Sequence, residues 1–213
     1  MISKQMNKSK LTWLVLILAA AVSLACETTP PPRPVGGAIG GAGGRVRQGL
    51  AVVAGNEPAM QAVSRVDIST PDGGAFKLTD WRGKVMVIDF WGTFCPPCVR
   101  QAPRLAELYT RYREQGLEIV GLSLDKKEDN EEVKDFIKRV GINYTVGYAD
   151  QRISAAFLSG TEDDSGAPPI PQLFVFARDG RLVEHLVGED PERGLTHLEK
   201  VINQQLALSP AAR

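Results

Sequence analysis

Residues 85–98 read Val-Met-Val-Ile-Asp-Phe-Trp-Gly-Thr-Phe-Cys-Pro-Pro-Cys, an apolar run that leads directly into two cysteines separated by two prolines. A run this apolar suits a central strand covered on both faces. Proline is well tolerated in the first turn of a helix, where the amides have no helical partner to lose. The chain is thereby held to an α/β arrangement in which a buried strand delivers Cys95 to a helix N-terminus. Unpaired amides and the helix dipole stabilise a thiolate at that place, so Cys95 is the expected nucleophile, with Pro96 and Pro97 shaping the loop. The remaining cysteine, Cys26, ends an apolar stretch near the N-terminus, so the disulfide available within the chain is Cys95–Cys98.

Such a dithiol is a redox catalyst. A Cys95 thiolate attacks a substrate disulfide to give a mixed disulfide, and Cys98 then attacks the Cys95 sulfur and releases reduced substrate. Run backwards, the same steps insert a disulfide. A structural zinc site would need two more ligands at motif spacing, and the only histidines, His185 and His197, lie far along the chain, so no metal is expected. No flavin or nicotinamide motif accompanies the dithiol, and no cofactor is expected.

Around this centre, residues 65–207 alternate strand and helix patterns over the length of a single domain. Segments 65–69 and 74–78 flank a Pro71-Asp72-Gly73-Gly74 turn and read as a peripheral hairpin. Residues 98–114 have helical spacing, 117–124 form the next buried strand, 130–140 a second helix and 143–148 another strand. A short helix over 151–158, strands over 172–177 and 181–187 joined at Arg178-Asp179-Gly180, and a helix over 191–208 complete the pattern, leaving 208–213 as a tail. The expected fold is an α/β sandwich with a central mixed sheet.

Asp89 lies within the apolar strand, on the same face as Val85 and Val87. A carboxyl covered there is desolvated, which raises its pKa, unless it sits at the strand edge and reaches solvent. Pro171 precedes the apolar run Gln172-Leu-Phe-Val-Phe176, and a proline at a strand's first residue can present the preceding backbone, here that of Ile170, to a bound peptide. Trp91 and Phe94 flank the dithiol, Trp91 expected below the loop and Phe94 exposed as a substrate contact. Pro103 should bend the first helix. The acidic stretch Thr161-Glu-Asp-Asp-Ser-Gly166 runs towards Pro171 and either bears on partner choice or is solvated.

Trp91-Gly-Thr-Phe-Cys-Pro-Pro-Cys98, Pro103, Val120-Gly-Leu-Ser-Leu-Asp125, and Ile170-Pro171 before Leu173-Phe-Val-Phe-Ala-Arg-Asp-Gly180 resemble the thioredoxin superfamily. The helix and strand inserted between residues 126 and 148 are most similar to the TlpA/ResA-type, membrane-tethered thiol-disulfide oxidoreductases. The resemblance implies a thioredoxin-like sandwich over 65–207, a cis Ile170–Pro171 bond beside Cys95, and proton exchange between Asp89 and Cys98 through water. It also implies disulfides of exported proteins as substrates, cytochrome c apoproteins among them, and a membrane thiol-electron transporter as reductant. A monomer is expected, and the chain shows neither the second copy nor the dimerisation domain that isomerases of this fold often gain.

The N-terminus fits that setting. Lys4, Lys8 and Lys10 precede an apolar run over 11–25 that ends at Cys26, the order of a secretory signal, and the run is short of the about 20 residues a spanning helix needs. Ser23-Leu24-Ala25-Cys26 resembles the cleavage box of bacterial lipoproteins, with Ser23 where those usually have leucine, which makes Cys26 the expected lipid attachment, a cleaved soluble protein or an uncleaved signal anchor the alternatives, and the periplasm or outer face of a membrane the expected location. Residues 27–64 are rich in proline and glycine and read as a flexible tether. Without residues 1–26, 25 acidic residues face 22 basic ones, a net charge of −3, and no basic block suggests nucleic acid. The rivals are an oxidase or isomerase of the same fold, a thiol peroxidase, and a copper metallochaperone; Thr93 and Arg100 lack the usual peroxidase spacing, and copper carriers of related fold space their cysteines more widely.

Overall fold

The structure, a computed structural model, describes residues 57–164, 166–189 and 195–208. The expected signal segment 1–26 with Cys26, most of the tether and the tail beyond Leu208 lie outside the described residues. The elements are α1 (Glu57–Val63), β1 (Ile68–Ser69), β2 (Ala75–Phe76), β3 (Val85–Trp91), α2 (Pro96–Tyr112), β4 (Leu117–Ser123), α3 (Asn130–Val140), β5 (Thr145–Tyr148), α4 (Gln151–Leu158), β6 (Gln172–Phe176), β7 (Leu182–Val187) and α5 (Thr196–Ala207). The main sheet has the order β5-β4-β3-β6-β7. Strands β3, β4 and β5 run parallel through the crossovers α2 and α3, and β6 and β7 are antiparallel to their neighbours. This is the mixed-sheet sandwich expected, with the inserted α3 and β5 extending the sheet on one side.

Strand β3 occupies the middle, and all its residues are buried, as are those of β4 and β6. Only edge strand β7 is largely half-exposed, so hydrophobic alternation is lost in the centre because both faces are covered. Val85, Val87 and Trp91 pack with Leu105 of α2, Phe136 of α3 and Ile202 of α5. Met86, Ile88 and Phe90 point the other way, into a core with Met60 and Val63 of α1 and Phe157 of α4. The two sets follow the period-two pleat.

Helix α1 corrects the expected extent of the tether, whose last residues, 57–63, are helical. Ala59, Met60 and Val63 make an apolar face buried against the second core, a pattern that the proline and glycine of the preceding residues mask. The peripheral hairpin is shorter than expected: β1 and β2 have 2 residues each and form their own sheet. Leu78, expected as the end of its second strand, instead begins a turn of 3₁₀ helix, Leu78–Trp81. Helix α5 is described from Thr196, and residues 190–194, where its start was expected, lie outside the described residues.

The hairpin reaches strand β5 through a missing side chain. A Cβ on Gly147 would lie 2.6 Å from Ile68 Cγ2 and 2.9 Å from the Phe76 ring, closer than atoms in a packed core approach. Gly147→Ala should therefore destabilise the protein by about 1–3 kcal/mol. An unchanged denaturant midpoint in that variant would mean that the hairpin is not seated on β5.

Candidate active site

The chain leaves β3 at Trp91, crosses Gly92–Phe94 and enters α2 with Cys95 as its N-cap and prolines in the first turn. Cys95 and Cys98 form a disulfide. Cys95 Sγ accepts a hydrogen bond from the Cys98 backbone N–H at 3.2 Å. An amide in this position, at the start of a helix, would stabilise a Cys95 thiolate once the disulfide is opened. The Ile170 carbonyl oxygen lies 3.7 Å from Cys95 Sγ on the other side, an acceptor for the thiol proton in the reduced state. Cys95 is only 4% exposed, whereas neighbouring Phe94 is 66% exposed.

Two side-chain clamps hold this arrangement. Asp125, just past the end of β4, accepts hydrogen bonds from the Thr93 N–H at 3.0 Å, from Thr93 Oγ1 at 2.6 Å and from Ser123 Oγ at 2.7 Å. The Leu124 N–H donates to the Trp91 carbonyl at 2.8 Å, so the loop before Cys95 is tied to β4 at both ends. On the other side the Ile170–Pro171 bond is cis. Gln172 fixes the approach to it by donating from Nε2 to the Pro169 carbonyl and to Thr161 Oγ1, both at 2.9 Å. Its Oε1 therefore faces His185 Nε2 at 2.8 Å as an acceptor. That pairing needs only a neutral His185 with its proton on Nε2, and burial accordingly pushes the imidazole pKa down to about 4. The Pro171 carbonyl accepts from the Gly188 N–H at 2.8 Å, and the next residue, Glu189, pairs with Arg100 of α2.

Asp89 is 2% exposed in the centre of the sheet, between Gly121 of β4 and Leu173 of β6. Its oxygens accept from Gln101 Nε2 at 3.3 Å and from the Tyr144 hydroxyl at 3.5 Å. Both contacts are long, and they offset burial only in part. Desolvation raises the carboxyl pKa from 3.8 to about 7 against the lowering effect of the two donors. Gln101 lies three residues beyond Cys98 on α2, hence on the same helical face. Trp91 stacks on Phe136 at 4.8 Å between ring centroids. Among the described residues no group of His, Cys, Asp and Glu side chains could hold a metal ion.

The Redoxin family matches residues 54–203, well over half of the chain. The chain belongs to the Redoxin family. The thiol-disulfide oxidoreductase ResA of Bacillus anthracis is 33% identical to this redoxin over 132 residues, 61% of this chain and 70% of that one. ResA of Geobacillus thermodenitrificans is 31% identical over 137 residues, 63% of this chain and 72% of that one. Among solved structures, a thiol:disulfide interchange protein of the thioredoxin family from Chlorobium tepidum superposes with a TM-score of 0.57 at 26% identity, covering 66% of this chain and 92% of that one. The redoxin is a thiol-disulfide oxidoreductase of the ResA/TlpA kind, with the redox-active pair Cys95–Cys98.

The site gathers Cys95, Cys98, Ile170, Pro171 and Phe94 at one end of the sheet, with Asp89 and Trp91 buried beneath. Asp89 does not reach solvent at a strand edge, and its side-chain partners are Gln101 and Tyr144 rather than a cysteine. Sequence reasoning assigned no role to Asp125, Gln101, Tyr144 or Gln172. Asp125 had a signal, an acid just past a buried strand at the end of the sheet where the dithiol lies. The other three had none, because their polar partners come from distant segments.

A carboxyl held protonated by burial makes stability depend on pH. The unfolded chain releases this proton near 3.8 and the folded chain near 7, so over that window the folded state binds more protons. Asp89 stabilises the fold fully below the lower value, and the contribution is lost as pH rises through the upper one. Unfolding free energy of the oxidised protein should therefore fall by roughly 4 kcal/mol across this window through Asp89 alone, and Asp89→Asn should remove that decline. Denaturant titrations of both proteins across that pH range test this, and equal slopes would exclude a buried neutral Asp89.

Proposed function

We propose that the protein reduces disulfides of exported proteins outside the cytoplasm, with Cys95 as nucleophile, Cys98 as resolving thiol and Asp89 as the acceptor and donor of the Cys98 proton. The observation that carries this reading is the Cys98 N–H aimed at Cys95 Sγ at the start of α2. It gives the nucleophile its thiolate, and the Ile170 carbonyl lies against the same sulfur.

The Cys95 thiolate attacks one sulfur of the substrate disulfide, and the other leaves as a thiolate that takes up a proton. Cys98 passes its proton to the Asp89 carboxylate and attacks Cys95 Sγ, forming the Cys95–Cys98 disulfide and breaking the bond to substrate. Two electrons pass to the substrate, and the enzyme must then be reopened by another thiol. No electron-carrying cofactor motif is in the sequence, which supports a membrane thiol-electron transporter as reductant. The backbone of Ile170, Pro171 and exposed Phe94 form the surface for the substrate peptide. Trp91 supports the loop from below, and Pro96 and Pro97 shape it. Cytochrome c apoproteins, with cysteines that must be reduced before haem is attached, are the proposed client class. The basic and apolar N-terminus supports export, with lipid attachment at Cys26 as the tether and the outer face of a bacterial membrane as the location.

The reduction potential of the pair, measured by equilibration against glutathione and dithiothreitol buffers, tests the direction. A value below about −220 mV is expected for a reductase, and one near about −120 mV would reverse the assignment to disulfide donation. Cys98→Ala should accumulate a mixed disulfide through Cys95. Cys95→Ala should not trap substrate through Cys98, and such an adduct, found by mass spectrometry, would exchange the two roles.

A further inference from the structure

The proton chemistry proposed above leaves unexplained why the segment 126–148 sends a tyrosine into the centre of the protein. Tyr144, in the connection between α3 and β5, is 6% exposed, and its hydroxyl donates to Asp89 Oδ2 at 3.5 Å. Its ring has room because residue 121 is glycine. A Cβ there would lie 3.1 Å from Tyr144 Cε2 and 2.9 Å from Trp91 Nε1, which has no hydrogen-bond partner among the described residues. Gly121 is also the strand neighbour of Asp89, so its missing side chain opens the space in which Tyr144 reaches the carboxyl.

We propose that Tyr144 is a positioning residue for thiol exchange: its hydroxyl stabilises the ionised Asp89 carboxylate and so sets the pH at which Asp89 can take the Cys98 proton. This rests on the reading of Asp89 as the proton acceptor. The groups around Asp89 leave few rivals. On α2, Gln101 is a neutral donor and Cys98 is the thiol being served. The facing residues Gly121 of β4 and Leu173 of β6 carry no charge. Tyr109, whose ring packs on Tyr144, donates by its hydroxyl to Glu118 at 3.3 Å, and Glu118 is paired with Lys84 at 2.8 Å. Among the described residues Tyr144 is thus the titratable side chain hydrogen-bonded to Asp89, and burial beside that acid raises its own pKa well above 10.0, so it stays a donor.

The test follows the resolving step in the full-length reduced chain reacting with oxidised glutathione, by rapid quench from about pH 5 to 9. The wild-type rate should rise through an inflection set by Asp89, and Asp89→Asn should abolish that inflection. Tyr144→Phe keeps the ring and removes one donor from the carboxylate, and it should move the inflection up by about one pH unit. A merely structural role would lower the rate at every pH without moving the inflection, and that result overturns the proposal. If Asp89→Asn keeps the wild-type inflection, it is the assignment of Asp89 that fails. Should Tyr144→Phe not yield folded protein, Gly121→Ala, which displaces the ring and keeps the hydroxyl, replaces it with the same expected shift.

Discussion

The N–H of Cys98, directed at Cys95 Sγ across the first turn of α2, is the interaction on which the rest of the molecule depends. A hydrogen bond to a charged group is worth about 1.5–3 kcal/mol, or about one to two pKa units of thiolate stabilisation. That gain exists only if the helix begins at Cys95 and at no other residue. Pro96 and Pro97 favour that start, because in the first turn a proline gives up no helical hydrogen bond and its fixed φ already suits the helix. Asp125 fixes the residues before it by holding Thr93 through both its backbone and its hydroxyl. The central strand and its crossover helix thus reduce, at the site, to the placement of one amide.

The buried acid pulls the other way. Stabilising the Cys95 thiolate favours the reduced state and makes the pair more oxidising. An ionised carboxylate in the same low-dielectric interior opposes any neighbouring thiolate and favours the closed disulfide. With its pKa near 7, Asp89 changes charge close to neutral pH, so the opposition is present or absent according to pH. The redox balance is a difference between two local electrostatic effects, neither of which the other residues of the fold can supply.

The sequence disclosed the parts of this arrangement that are contiguous. Val85–Trp91 followed by Cys-Pro-Pro-Cys states a buried strand, a turn and a helix start in one stretch, and each was found in place. Strand alternation placed Asp89 on the face of Val85 and Val87, which is the α2 side of the sheet. Helix α1 was hidden because its 7 residues, with an apolar face of only Ala59, Met60 and Val63, follow a long proline- and glycine-rich stretch and have meaning only against the second core. The partners of Asp89 were hidden for the same reason. Gln101 is a polar residue on a helix and Tyr144 an aromatic at the mouth of a strand, and only the three-dimensional meeting of α2, β3 and β5 makes them ligands of one carboxyl.

The inserted segment is therefore more than an extension of the sheet. Phe136 of α3 stacks on Trp91, Tyr144 reaches Asp89, and Gly147 of β5 lies under the β1–β2 hairpin. The first two contacts cover the face of β3 that carries the acid. An Asp89 left open to water on that side would regain hydration and ionise well below neutral pH, near its ordinary value of 3.8. It would then carry a full charge through neutral pH and could not return a proton to Cys98 in the role proposed for it. The α3–β5 segment keeps that carboxyl dry enough to hold a proton, while Tyr144 and Gln101 keep it polar enough to release one.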